Sequence, residues 1–212
     1  MKLKWFGHSC FWVQSVSGKS LVFDPFDQSV GYPLPQVSAE AVVVSHDHYD
    51  HNNAKLVQGQ PRIIKEVGEF ELDGIKIKTF PTFHDEEQGK KRGSNLVSRV
   101  EIDSLSLIHS GDLGMIPPRE VVSSWQPVDV LLVPVGGVFT IDADGAFNLV
   151  NQLQPRLVIP MHYQTHYLQF ELHPVEPFLE KFERVKTLST SQVEIDRSQL
   201  PDKTEVWVLS LD

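Results

Sequence analysis

The chain has 212 residues, 41% of them hydrophobic and 22% charged, which is enough for one domain with a substantial core and excludes a disordered or fibrous protein. Its 28 acidic residues outnumber its 19 lysines and arginines, and the formal net charge is −9. Such a chain repels phosphate backbones, so nucleic acid is a disfavoured partner.

The cysteine count and the N-terminus indicate the compartment. Cys10 is the only cysteine, so no intrachain disulfide can form, which fits a reducing environment. The N-terminal stretch does not resemble a signal peptide, because Gly7, His8 and Ser9 interrupt its apolar residues. No apolar run approaches the roughly 18 residues of a membrane span. We therefore expect a cytoplasmic protein that contacts no membrane and is a candidate homo-oligomer.

The first eighty residues predict mostly β-strands. The continuous β-branched run AVVVS (41–45) is typical of a strand covered on both faces, and AKLVQG (54–59) after it predicts a short helix. The other predicted strands are KLKWF, CFWVQSV, SLVFDPF, PRIIK, GEFEL and IKIKTFP.

Strands and helices alternate in the rest of the chain. The predicted strands are LVSRVEI, LSLIHS, VDVLLVPVGG, RLVIPMH and EVWVLSL, and the predicted helices are PPREVVSSW, DADGAFNLVNQLQP and PVEPFLEKFE. This order predicts a single α/β domain over residues 1–212, with helices on the outer faces of its sheets.

The segment VVVSHDHYDH (42–51) places imidazoles and carboxylates directly behind a predicted buried strand. His46 and His48 are two residues apart and point to the same side of an extended segment, while Asp50 and His51 follow where the chain must turn. These are ligand types that suit zinc, iron or manganese, and four of them exceed what one metal with an open position usually takes. The spacing therefore suggests two adjacent metals. The alternative is a histidine-rich surface turn.

The pattern H-x-H-x-D-H resembles that of the metallo-β-lactamase superfamily. The resemblance implies a four-layer αββα sandwich with the metal site at one edge of the two sheets. The phrases WFGHSCFWV, HSGDLG and VIPMHY look like those of small prokaryotic hydrolases related to ascorbate-6-phosphate lactonase. The wider group includes a phospholipase D for N-acylethanolamine phospholipids. This chain is much shorter than both and has no room for the inserted domain of the nuclease branch, so their substrates are not transferred.

The resemblance also implies a ligand set, since further ligands in that family follow later strands. Metal one would be held by His46, His48 and His84, metal two by Asp50, His51 and His162, and Asp112 would bridge the two. Asp24 matches an acidic residue that accepts a hydrogen bond from a ligand imidazole, although it could simply form a turn before Pro25.

The remaining histidines and one charged loop have less certain assignments. His8 could reach the rim of the cleft as a proton donor or hydrogen-bond its own turn. His109 is expected to pack in the core or support a ligand, and His166 and His173 to lie at the surface. In the loop 85–92, Lys90, Lys91 and Arg92 could meet a phosphate or carboxylate, or be solvated. Asp85 is not a ligand in this scheme.

The implied activity is that of a metal-dependent hydrolase. A hydroxide bridging two divalent metals would attack an ester, lactone or phosphoester bond of a small substrate, with Asp50 and Asp112 as the catalytic carboxylates that hold it and take its proton. Zn²⁺ is the first choice, with Mn²⁺ or Fe²⁺ as alternatives. Two other functions stay open: a mononuclear iron oxidoreductase of the persulfide dioxygenase type, and a non-catalytic metal-binding sensor.

Overall fold

The computed structural model describes residues 1–211 and contains fourteen strands. In chain order they are β1 (Lys2–Gly7), β2 (Cys10–Gln14), β3 (Ser20–Phe23), β4 (Ala41–Val43), β5 (Arg62–Ile64), β6 (Gly68–Leu72), β7 (Ile75–Phe83), β8 (Ser94–Ile102), β9 (Leu105–His109), β10 (Val130–Pro134), β11 (Leu157–Met161), β12 (Val185–Thr187), β13 (Gln192–Glu194) and β14 (Glu205–Val208). The strands β12 and β13 were not predicted from the sequence.

Helices are few and short. The α-helices are α1 (Arg119–Ser123), α2 (Ala143–Leu153) and α3 (Glu176–Leu179), and 3₁₀ turns lie at Gln28–Val30, Ala54–Leu56 and Arg197–Gln199. Helix α2 begins where the Asp142 side chain accepts a hydrogen bond from the amide of Gly145, and it ends before Pro155. None of the helices in residues 1–211 is long and apolar enough to cross a membrane.

The strands form two sheets, with strand order β13-β1-β2-β3-β4-β5 in the first and β12-β14-β11-β10-β9-β8-β7-β6 in the second. In the first sheet, β1, β3 and β4 run in the same direction. Both β1 and β3 pair antiparallel with β2, and β4 pairs parallel with β3. In the second sheet, β7, β9, β10 and β11 likewise share one direction. The carboxyl ends of parallel strands lie at one edge of a sheet, and the loops that follow them can therefore meet.

Alternating side chains of the first sheet enter two different apolar clusters. Leu21 and Phe23 of β3 face the main core between the sheets, whereas Val22 faces a second cluster on the outer side. Strand β4 alternates in the same way, with Val43 inward and Val42 outward. The prediction that AVVVS is covered on both faces is confirmed.

The predicted fold class, an αββα sandwich, is confirmed, although its two outer layers differ. Helix α2 packs its buried Ala146, Leu149, Val150 and Leu153 toward β10 of the second sheet. Over the first sheet, within residues 1–211, the cover consists of 3₁₀ turns and loops, and the predicted helix AKLVQG is the 3₁₀ turn at Ala54–Leu56. This turn buries only Ala54, which gives a longer helix little to pack against.

Candidate metal centre

The candidate ligands follow the carboxyl ends of strands from both sheets. His8 follows β1, Asp24 follows β3, and the segment His46–His51 follows β4; from the other sheet, His84 follows β7, Asp112 lies after β9, and His162 follows β11. Because those strand ends share one edge, the sandwich brings together residues that are more than 150 positions apart in sequence.

The buried carboxylate of Asp112 lies at the centre of this edge. Its Oδ2 atom is 3.1 Å from Nε2 of His162 and 3.2 Å from Nε2 of His51. Nε2 of His84 lies at 3.4 Å and Nε2 of His46 at 4.0 Å. One carboxylate therefore faces four imidazoles that come from three different loops.

The ligand atoms form an outer group and an inner group, each with atoms within 4.8 Å of one another. The outer group consists of His46, His48 and His84, and the inner group consists of His8, Asp50, His51 and His162. A third group of the same kind, His46, His51 and Asp112, joins the first two. The inner group is buried, whereas His48 of the outer group is partly exposed. All seven ligands predicted from the sequence lie in this cluster, and His8 joins them.

Several buried polar atoms of the cluster have no hydrogen-bond partner within residues 1–211. These are Nε2 of His46, of His51 and of His162, together with Oδ1 of Asp112. A buried polar atom without a partner costs free energy, so such a concentration at one point indicates that a further group is bound there. Imidazole nitrogens and carboxylate oxygens are the donor set of zinc, iron and manganese. The cluster therefore fits divalent metal ions.

The contacts of Asp24 orient two of the imidazoles. Its Oδ2 atom is 2.9 Å from Nδ1 of His51, and its Oδ1 atom accepts the backbone N–H of Ser45 at 2.7 Å. The hydroxyl of Ser45 lies 2.6 Å from Asp24 Oδ2 and 2.9 Å from Nδ1 of His46. In both rings Nδ1 is therefore hydrogen-bonded and Nε2 faces the cluster. Hydrogen bonds of this kind orient a histidine that binds a metal through its other nitrogen. The role of Ser45 was missed in the sequence, where only its position before His46 could have indicated it.

His8 lies behind the cluster and not at the rim of the cleft. It is fully buried, its Nε2 atom is 3.2 Å from Asp50 Oδ2, and its ring centroid is 4.3 Å from that of His162. Of the two alternatives left open for His8, a position at the rim does not fit its complete burial. Its backbone carbonyl accepts a hydrogen bond from Nε1–H of Trp5 at 3.0 Å, which fixes the turn.

The carboxylates and His51 stabilise one another's charged forms. Burial alone would raise the pKa of Asp112, but His162 and His51 outweigh it and hold the pKa well below its usual range. Burial alone would lower the pKa of His51, but Asp112, Asp50 and Asp24 outweigh it and raise the pKa. Three carboxylates thus act on one imidazole, and this concentration of negative charge favours a cation at this point.

Two other histidines are kept neutral. Burial, followed by the proximity of His51, lowers the pKa of His46 to about 3. Burial and then His162 lower the pKa of His8 to about 4. A neutral imidazole retains the lone pair that a metal needs, so His46 is ready to act as a ligand at neutral pH.

Small residues let the ligand loops approach closely. Gly111 has φ +56°, and a Cβ there would collide with Oδ1 of Asn95 and with Ser45. The same Oδ1 of Asn95 accepts the backbone N–H of Asp112 at 3.0 Å, while its amide donates to the carbonyl of Ser110 at 3.0 Å. Asn95 thereby fixes the loop that carries the central carboxylate, a role that the sequence did not reveal.

The other histidines lie away from the cluster. His109 stacks on Phe23 with 4.6 Å between ring centroids, donates from Nε2 to the carbonyl of Ser9 at 2.8 Å, and is buried in the core. His166 and His173 are exposed. Burial raises the pKa of the Cys10 thiol, which is not a nucleophile in this environment.

A cavity of about 290 Å³ opens onto the cluster. His48, Asp50, His84, Asp112 and His162 form its floor, and Tyr49, Arg92, Phe139 and Phe170 complete its lining. The ligands therefore face a small cleft with mainly aromatic walls. Tyr49, Phe139 and Phe170 had not been assigned to the cleft from the sequence, whereas Arg92 was one of three basic residues that could meet a phosphate or carboxylate.

The loop 85–92 beside His84 is organised around one buried carboxylate. Asp85 accepts backbone N–H bonds from Glu87 and Arg92 at 2.7 Å each, and from Gly89 and Lys91 at 2.9 Å each. Burial alone would raise the pKa of Asp85, but these four amides outweigh it and lower the pKa to about 2. Asp85 is thus a structural residue of the loop and lies outside both ligand groups.

Comparison with known families identifies the class of protein that this fold and cluster define. The model of the Beta-lactamase superfamily domain matches residues 2–162. The chain therefore belongs to the metallo-β-lactamase superfamily, and the expected class, a metal-dependent hydrolase, is confirmed.

Individual relatives show which members of the superfamily this chain is similar to. A UPF0173 metal-dependent hydrolase of Pyrococcus abyssi is 30% identical over 194 residues, covering 78% of this chain and 85% of that protein. Another from Thermoplasma acidophilum is 29% identical over 214 residues, covering 89% and 91%. A solved structure from Thermotoga maritima, assigned as a Zn-dependent hydrolase of the metallo-β-lactamase superfamily, has a TM-score of 0.83 and 38% identity, covering 98% of this chain and 97% of that one.

Proposed function

We propose that this protein hydrolyses an ester, lactone or phosphoester bond of a small substrate with the help of two divalent metal ions. The observation that carries the proposal is the division of the ligand atoms into two groups around the single carboxylate of Asp112. The seven predicted ligands also exceed what one ion with an open position usually takes.

The assignment of residues follows the two groups. His46, His48 and His84 would hold one ion, Asp50, His51 and His162 would hold the other, and Asp112 would contact both. Zinc is our first choice because of this nitrogen-rich donor set and because the Thermotoga maritima relative is assigned as Zn-dependent, with Mn²⁺ and Fe²⁺ as alternatives. The chemistry that such a pair supplies when bound is polarisation of the scissile group and a water of lowered pKa.

The chain's own residues position the reactants and handle the proton. Asp50 and Asp112 are the two carboxylates of the cleft, so they are the groups that can hold an attacking water and accept its proton. We assign His8 to Asp50 and not to an ion, because its Nε2 atom already lies 3.2 Å from Asp50 Oδ2. No serine or cysteine lines the cleft within residues 1–211, which agrees with direct attack by water.

The cleft and the charge support a small-molecule substrate. A cavity of about 290 Å³ with aromatic walls admits a small molecule and excludes a duplex. The net charge of −9 opposes nucleic acid, and we propose that neither nucleic acid nor a membrane is a partner. The lone, buried Cys10 fits a reducing compartment, and we propose the cytoplasm as the location.

The test is hydrolysis by metal-reconstituted protein. The purified chain is stripped with a chelator, reloaded with Zn²⁺, Mn²⁺ or Fe²⁺, and assayed against panels of phosphodiesters, lactones, esters and thioesters. We expect turnover that depends on the metal, that survives Asp47→Asn and that is lost in Asp112→Asn. Asp47 is a matched control, because it lies next to His46 but is exposed and outside both groups. Iron near one ion per chain, without hydrolysis of any panel, would contradict the proposal and favour the persulfide-type oxidoreductase.

A further inference from the structure

Arg92 brings a positive charge to the cleft of a strongly acidic protein. It is partly buried and lines the same 290 Å³ cavity as His48, His84 and Asp112. It also lines a neighbouring cavity of about 520 Å³, so it stands between the cluster and the space beyond. Lys90 of the same loop lines neither cavity, and Lys91 is paired with Glu87 at 2.6 Å.

The guanidinium of Arg92 has unused hydrogen-bonding capacity. Within residues 1–211 it forms no ion pair, and its side chain makes one hydrogen bond, from Nη2 to the carbonyl of Val138 at 3.2 Å. The guanidinium carbon lies 5.3 Å from the ring centroid of Phe139. A guanidinium carries five N–H donors, and a planar fork of them suits a carboxylate or a phosphate. A purely structural arginine would more commonly have its charge paired.

The surrounding structure holds Arg92 in place. Its backbone N–H donates to Asp85 Oδ2 at 2.7 Å, and Phe139 supports the face of the guanidinium. Asp85 directly follows the candidate ligand His84, which fixes the arginine relative to the cluster. A charged side chain that is already ordered loses less entropy when it binds a ligand.

We propose that Arg92 binds an anionic group, a carboxylate or a phosphate, of the substrate, while the aromatic walls Tyr49, Phe139 and Phe170 contact an apolar part. This inference adds a substrate class to the proposed hydrolase, and it rests on that proposed function. The binding itself needs no turnover. In a protein of net charge −9, such a local positive group favours the entry of an anion into the cleft.

The experiment measures binding by calorimetry with three probes: phenylacetate, phenyl phosphate and the neutral isostere phenylacetamide. Each is titrated into Zn²⁺-loaded wild type, Arg92→Met, Arg92→Lys and Lys90→Met. Lys90→Met is the matched control, because it removes the same charge from an exposed position of the same loop. Thermal melting of each variant checks that it is folded, and the metal content is measured so that ion loss is not mistaken for lost anion binding.

We expect Arg92→Met to bind at least one of the two anions about 10-fold or more weakly than wild type, as loss of a charge-assisted hydrogen bond implies. Arg92→Lys should retain part of the affinity, and Lys90→Met should match wild type. The affinity for phenylacetamide should differ from that of wild type by less than about 2-fold in every variant. The anion whose binding is weakened more in Arg92→Met shows whether the carboxylate or the phosphate is the preferred group.

Three results would overturn the inference: no binding of either anion to wild type, equal anion affinity in Arg92→Met, or an equal loss for phenylacetamide, which would mark a structural role. None of them depends on hydrolysis. A failure here therefore leaves the two-metal hydrolase standing, and a failure of the hydrolase assays leaves the binding result standing.

Discussion

The inner and outer ligand groups share one carboxylate but differ in burial and in the contacts behind them. In the inner group, Asp24 is bonded to Nδ1 of His51 and His8 is bonded to Asp50. In the outer group, which has no carboxylate of its own, Nδ1 of His46 is bonded to the hydroxyl of Ser45, and His48 is partly exposed.

This difference suggests that the inner group is a preorganised ion position and the outer group a more accessible one. The inner group adds the charge of Asp50 to that of Asp112 and is more deeply buried, which strengthens attraction to a cation. The outer group relies on imidazoles and includes the partly exposed His48. We therefore expect the inner ion to be held more tightly, and the outer ion to exchange more readily with solution.

Asp112→Asn should have the largest effect, because its carboxylate faces both groups. The amide keeps the shape but removes a charge that two cations need. We expect kcat and kcat/KM for any substrate of the wild type to fall together by about 100-fold or more, the magnitude typical of one lost electrostatic stabiliser. Metal affinity should fall at both positions. Near-normal turnover in Asp112→Asn, measured with its metal content, would show that this residue does not link the groups.

Removal of one imidazole from either group should have the next largest effect. His51→Ala should weaken the tighter of two ions, because it removes a buried ligand whose ring Asp24 already orients. His48→Ala should weaken the looser ion and leave the tighter one nearly unchanged. Competition titrations with a chromophoric chelator give both affinities. If the two variants lose the same ion, the division into two groups is wrong.

Asp24→Asn tests the support of the inner group directly and that of His46 through Ser45. The amide can accept from His51 or from Ser45 but cannot replace both carboxylate oxygens. We expect the affinity for the tighter ion to fall about 10-fold, within the range for groups that orient a ligand, with a smaller fall for the looser ion, whose ligand His46 Asp24 reaches only through Ser45. Asp27→Asn is the control, since Asp27 accepts a hydrogen bond from Ser29 and belongs to neither group. An equal effect in both variants would point to a general loss of stability.

Asp85→Asn should have the smallest effect and should act beside the outer group. One amide oxygen replaces two carboxylate oxygens that accept four N–H bonds, so part of the loop 85–92 loses its acceptor. We expect Tm to fall by about 2–4 °C or somewhat more, with turnover reduced far less than in Asp112→Asn. Glu86→Gln, at an exposed neighbouring position, should leave Tm unchanged. A drop of turnover as large as that of Asp112→Asn would give Asp85 a role in the cluster itself.

The sequence was most informative where chemistry and local pattern coincide. The segment 46–51 places polar ligands behind an apolar strand, and His84, Asp112 and His162 each follow another apolar run. The segment 46–51 can be interpreted from its chemistry, since burying imidazoles and carboxylates at the end of a strand costs free energy unless they bind something. The other three ligands were implied by the family resemblance. The β-branched run before His46 likewise predicted a strand covered on both faces.

Apart from Asp24, which the resemblance implied, the residues that support the cluster could not be predicted in the same way. Ser45 and Asn95 act through hydrogen bonds to partners from other loops, and serine and asparagine are common in any turn. The role of His8 was left open between the rim and its own turn, because the sequence does not show that β1 ends close to Asp50. Arg92 lines the cleft only because Asp85 folds the loop back.

The most direct test of the two-group cluster is the number of ions that the chain binds. Metal-free protein is titrated with Zn²⁺ and, separately, with Mn²⁺ by calorimetry, and the loaded protein is analysed for metal content after gel filtration. Close to two ions per chain are expected, with the second released first by a chelator. If wild-type protein in excess zinc or manganese never binds more than one ion per chain, the assignment of His46, His48 and His84 to a separate ion is wrong.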